Sequence, residues 1–138
     1  MPRVLVLCTG NSARSQIAEG FLRAWGAEAF SAGTHPAPRV NPFATAAMAE
    51  IGIDISAHTP KSVERFLRQP FDYVITVCGE ADAVCPAFTG AVGRRVHIGF
   101  PDPAAVAGSD ADRLIAFRTV RDAIAARLRE YYEKEIAP

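Results

Sequence analysis

The apolar and polar positions divide the chain into short continuous apolar runs and longer stretches with an apolar residue every third or fourth place. Val4-Leu5-Val6-Leu7 is an unbroken apolar run, as expected of a strand buried on both faces of a parallel sheet. Segment 72–77 is apolar enough to be a second central strand, and the shorter segments 28–31 and 95–98 complete four predicted strands. Ile17, Phe21 and Trp25 stripe one face of a helix predicted over 13–25 and stopped by Gly26. Asn41-Pro42 reads as a cap followed by proline at the first helical position. It opens a helix expected to turn Phe43, Ala47 and Ile51 inward and to stop at Gly52. Thr59-Pro60 suggests a short helix over 61–68. Ser109-x-x-Asp112 has the form of a capping box. It starts a last helix with Leu114, Phe117, Val120, Ile124, Leu128 and Tyr131 on one face.

This order of strands and helices predicts an α/β fold with a small, about four-stranded parallel sheet and helices on both faces. In such open sheets the functional site lies outside the carboxyl ends of the strands. Cys8, Cys78 and Asp102 each fall just after a predicted strand, so the topology can gather them on one edge.

The first strand runs straight into Cys8-Thr9-Gly10-Asn11-Ser12-Ala13-Arg14-Ser15. Small, turn-prone residues there form a tight loop whose backbone N–H groups, with the following helix dipole, make an anion site. Arg14 adds a planar fork able to grip two oxygens of a tetrahedral anion. The field that holds an oxyanion also favours thiolate over thiol at Cys8. A depression of about two units corresponds to ~3 kcal/mol, within reach of a few good donors. A nucleotide loop of the Walker type fits badly, since no lysine follows Gly10 at the required spacing. A cysteine at a strand end is often only a small apolar core residue, but Thr-Gly-Asn-Ser and Arg-Ser are poor core material.

Cys-x5-Arg-Ser between a first strand and a first helix resembles the low-molecular-weight protein tyrosine phosphatase family, and the run from Cys8 to Gln16 is similar to its thioredoxin-coupled arsenate reductase branch. The resemblance implies the fold of that family, with Cys8 as nucleophile and loop 9–15 (Thr9, Gly10, Asn11, Ser12, Ala13, Arg14, Ser15) binding the oxyanion. Asn11 and Ser15 would hold the loop. Asp102, in an Asp-Pro, matches the family's general acid. Family phosphatases usually place aromatic residues soon after that Asp, whereas segment 102–108 has none, which favours a small inorganic anion. Cys78 and Cys85, with six residues between them, match the branch's additional cysteines. The resemblance therefore implies arsenate reduction to arsenite by a three-cysteine relay regenerated by thioredoxin. The reductant would be an external thiol and no cofactor would be bound. The alternative is a phosphatase using Cys8, Arg14 and Asp102 alone; a rival of another class is a redox-sensing or phosphate-binding module without turnover. Some family reductases hold a monovalent cation through residues matched here by Asn11, Glu19, Ser31 and Thr59, but Lys61 stands where they carry Asp. His35, His58 and His97 are assigned no catalytic role.

With 138 residues, the chain is expected to form a single catalytic domain, 1–138. Lys plus Arg and Asp plus Glu are both 15, which points away from nucleic acid and anionic membranes as partners. The N-terminal apolar run is too short for a signal peptide or a membrane span. A cytoplasmic monomer is expected, acting on arsenate or phosphate and meeting thioredoxin. In that reducing compartment three cysteines serve catalysis, redox chemistry or packing better than structural disulfides.

Overall fold

The structure, a computed structural model, describes residues 1–79 and 88–137. Its elements are β1 (Arg3–Cys8), α1 (Arg14–Ala24), β2 (Glu28–Gly33), α2 (Pro42–Ala49), β3 (Phe71–Thr76), β4 (Val92–His97) and α3 (Asp110–Tyr131). Single 3-10 turns lie at Val63–Phe66 and Pro103–Ala105, and a π-turn, Tyr132–Ile136, prolongs α3. The four strands form one sheet in the order β2-β1-β3-β4, and every pairing is parallel.

β1 is central, and its apolar run is buried on both faces. Val4, Leu5, Val6 and Leu7 have no exposed surface, each such burial being worth about 1.5–3 kcal/mol. Val4, Val6 and Cys8 face a core built from all three α-helices, whereas Leu5 and Leu7 face a smaller cluster with Phe66, Phe71, Val74 and Phe88. Among the described residues, helical cover on the two faces is therefore unequal: three α-helices on one, a 3-10 turn on the other. Aromatic rings fill the thinner side, with Phe71 edge-on to Phe30, Phe66 and Phe88 at centroid distances of 5.7–6.0 Å.

The predicted strands and the three longer helices form, and the departures have physical causes. The fourth strand begins at Val92, three residues before the expected start, and ends at His97; as an edge strand it is largely exposed and shows no apolar run. β2 continues to Gly33. Ile51 does not turn inward: α2 ends at Ala49, Gly52 reverses the chain at φ 80°, and Ile51 is 43% exposed while Met48 takes the core position. The helix expected over 61–68 contracts to one 3-10 turn capped by Ser62, whose side chain accepts from the Glu64 N–H. Lys61 cannot join it because its backbone N–H donates to Asn11 Oδ1 and its carbonyl accepts from the Gly33 N–H, at 2.9 and 2.8 Å. The capping box at Ser109 and Asp112 forms in both directions. The last helix also buries Arg121, whose guanidinium donates to the Ala47 carbonyl and to Glu50.

Candidate active site

Register places the nucleophile candidate. Cys8 pairs with Gly33 of β2, and on the other side the Val77 N–H donates to the Leu7 carbonyl. Cys8 and Cys78 thus leave the carboxyl ends of adjacent strands. Both are buried in the helix-side core, and both are thiols rather than a disulfide. Gly33 is required by close approach, since a Cβ there would collide with the Thr9 carbonyl.

Residues Cys8 to Arg14 line a cavity of about 210 Å³ together with Asp102 and Ala104. Asn11 takes the left-handed conformation, φ 51°, as its place in the loop requires. Its amide donates to Ser15 Oγ at 2.8 Å, which leaves the Ser15 hydroxyl hydrogen available to a second acceptor. The loop's carbonyls are engaged from behind. Thr9, Gly10 and Ser12 oxygens accept from the N–H groups of His35, Ala37 and Asn41 at 3.0, 2.9 and 2.8 Å. That polarity suits an anion, because these carbonyl oxygens are bonded to the 35–41 segment. Nothing local in the sequence of 35–41, with Pro36 and Pro38, signals this support.

Arg14 opens α1 and is 4% exposed. Its Nη1 donates to the Phe100 carbonyl at 3.1 Å, and Nη2 lies 3.9 Å from Asp102 Oδ2. Asp102 is partly exposed, and its Oδ1 accepts from the Ala104 N–H at 3.0 Å, capping the Pro103–Ala105 turn. The carboxylate therefore stands at the mouth of the cradle, and the small side chain of Ala104 completes the wall. Cys85 lies outside the described residues.

A polar network backs the loop. Gln16 is fully buried; its amide donates to Asn11 O, Asn11 Oδ1 and Thr59 O at 3.1–3.2 Å. His58 Nδ1 lies 3.0 Å from Gln16 Oε1 and 3.3 Å from Glu19 Oε2. Both partners only accept, so Nδ1 carries the hydrogen. Burial pushes the His58 imidazole below its ordinary value, against the pull of Glu19. Asn11, Glu19, Ser31 and Thr59 do converge here. Ser31 Oγ donates to Glu19 Oε1 at 2.6 Å, and Lys61 Nζ donates to Thr59 O at 2.9 Å. Burial likewise lowers the Lys61 pKa, with Glu19 again opposing. Gln16 and His58 were missed as loop supports; the only sequence signal for Gln16 was a polar side chain on a helical turn that packs inward.

A thiol at a strand end, an anion-sized cradle, a forked cation and a carboxylate at its mouth define a nucleophilic enzyme for tetrahedral oxyanions. Residues 3–137 match the sequence profile of the low molecular weight phosphotyrosine protein phosphatases, and the chain belongs to that family. An arsenate reductase of Halalkalibacterium halodurans is 46% identical over 137 residues, covering 94% of each chain. A solved arsenate reductase in the phosphate-binding state superposes with a TM-score of 0.79 at 34% identity, over 97% of this chain and 98% of that one. A thioredoxin-dependent arsenate reductase of Corynebacterium glutamicum gives a TM-score of 0.67 at 29% identity, over 96% of this chain and 61% of that chain. No helix among the described residues is long and apolar enough to cross a membrane.

Proposed function

We propose that the protein reduces arsenate to arsenite and that its electrons come from thiols. Arsenate enters the loop, where Arg14 and the backbone donors hold its oxygens. The Cys8 thiolate attacks arsenic, an As–O bond breaks, and Asp102, as general acid, delivers a proton to the departing oxygen. Cys78 then attacks the Cys8 sulfur. The S–As bonding pair passes to arsenic, reducing As(V) to As(III), and a Cys8–Cys78 disulfide forms as arsenite leaves. Cys85 attacks Cys78, which releases the Cys8 thiolate and leaves a Cys78–Cys85 disulfide. The dithiol of thioredoxin reduces it by exchange. The reducing cytoplasm suits this cycle, and a monomer suffices, since every residue in it belongs to one chain.

The observation that carries this reading is the second thiol, Cys78, leaving the strand next to that of Cys8 in the same core. A hydrolytic phosphatase has no need of it. The cradle with Arg14 and Asp102 would also support phosphomonoester hydrolysis as a weaker activity, and the alanines after Asp102 offer an aryl group nothing to stack on. The test is arsenate-dependent NADPH consumption in a coupled thioredoxin system beside aryl phosphate hydrolysis. Turnover of arsenate well above hydrolysis is expected; hydrolysis alone would assign the protein as a phosphatase.

A further inference from the structure

We infer that Arg127, on the outer side of α3, is a positioning residue for the oxyanion fork, acting through the Gly99–Phe100 peptide. The inference rests on the reading that Arg14 grips the tetrahedral anion. A guanidinium fork matches two oxygens only in one orientation. Two of its anchors come from a single loop: Phe100 O, 3.1 Å from Nη1, and Asp102, 3.9 Å from Nη2. Whatever holds the direction of that loop therefore bears on the orientation of the fork.

The loop follows β4, an exposed edge strand that itself contributes little packing. Two contacts hold it from inside: the buried Phe100 ring, and the Phe100 N–H donating to the Val77 carbonyl at 3.2 Å. From outside, Arg127 Nη1 donates to the Gly99 carbonyl at 2.8 Å, and its guanidinium lies over the Phe100 ring, 5.0 Å from the centroid. One side chain thereby fixes the carbonyl of one residue and the ring of the next. The Gly99 carbonyl is held by Arg127 and the Phe100 carbonyl by Arg14, so a rotation of the backbone between them would disturb both. The remaining side is tight: a Cβ on Gly79 would lie 2.6 Å from Phe100 O, and one on Gly99 would lie 2.7 Å from Cys78 O. Backbone packing thus limits movement toward residues 78–79, and Arg127 limits it on the α3 side.

The test is the affinity of the full-length protein for inorganic phosphate by titration calorimetry, with melting temperature measured alongside. Arg127→Ala should weaken phosphate binding roughly tenfold, the scale of one charge-assisted contact. Arg127→Lys, which keeps a donor and a cation over the ring, should recover most of it. Arg118→Ala, which loses the Glu50 pair on another part of α3, should lower the melting temperature and leave phosphate affinity unchanged. If Arg127→Ala does not fold, Arg127→Met takes its place and should bind more weakly than Arg127→Lys. Wild-type affinity in the Ala or Met variant, or an equal loss in Arg118→Ala, overturns the proposal. Failure of the wild-type protein itself to bind phosphate, or full binding by Arg14→Ala, would instead overturn the reading of the cradle.

Discussion

Lys61 Nζ stands 3.8 Å from Glu19 Oε1, on the same carboxylate oxygen to which Ser31 donates. The ammonium is thus a covalently attached cation among Asn11, Glu19, Ser31 and Thr59. Turnover of arsenate is expected to be insensitive to potassium, because the charge that a dissolved ion would bring is already present. Steady-state kinetics in potassium chloride against choline chloride checks this, and a severalfold change in KM would show that a separate cation is still needed.

Asp102 reaches Arg14 only at 3.9 Å and is otherwise engaged in capping its own turn. As general acid it should contribute ~10²–10⁴-fold to the first chemical step. Asp102→Asn keeps the cap, because an amide oxygen still accepts from Ala104, so the loop and phosphate affinity should survive. Single-turnover formation of the thiol–arsenic bond should slow by that factor. A rate near wild type would leave Asp102 with the structural role alone.

The cysteines should separate by activity. Cys8→Ser is expected to lose both reductase and phosphatase activities. Cys78→Ser should retain any hydrolysis and lose arsenate turnover. Cys85→Ser should stop after one turnover with a Cys8–Cys78 disulfide, visible by peptide mapping. Repeated thioredoxin-driven turnover in either of the last two variants would contradict the relay.

Glu50 follows the last turn of α2, where the helix dipole disfavours a carboxylate. Hydrogen bonds from Arg118 and Arg121 nevertheless hold its pKa down to about 2, with Arg118 the larger cause. The folded value lies below the ordinary 4.5. The resulting stabilisation is complete above about pH 4.5 and is lost as pH falls toward 2. Urea denaturation should find Glu50→Gln less stable than wild type near neutrality, with the difference shrinking through that acidic window. A gap independent of pH would assign the effect to packing.

The cradle was legible in the sequence because its residues are contiguous: a buried strand, small loop residues and Arg14 occupy neighbouring positions. The convergence of Cys8, Cys78 and Asp102 was legible from parallel topology, which sends every strand end to one edge. Long-range support was not. Nothing local in His35, Ala37 or Asn41 says that their N–H groups will meet loop carbonyls, and Gln16 and Arg127 read as ordinary helix polar residues. The helix expected over 61–68 failed for the same reason. Local propensity favoured it, but the backbone of Lys61 is held by Asn11 and Gly33 from elsewhere in the chain.

The strand order also sets how long different parts of the molecule stay closed. β1 is bonded on both sides and has no exposed surface from Val4 to Leu7, whereas β4 has one neighbour among the described residues and is largely open to water. Local opening draws on the least buried units first. Amide protons of β4 should therefore exchange with deuterium early, and those of β1 only when the whole fold opens. The strand that ends in Cys8 should be the molecule's slowest clock, and the strand that feeds the Asp102 loop among its fastest.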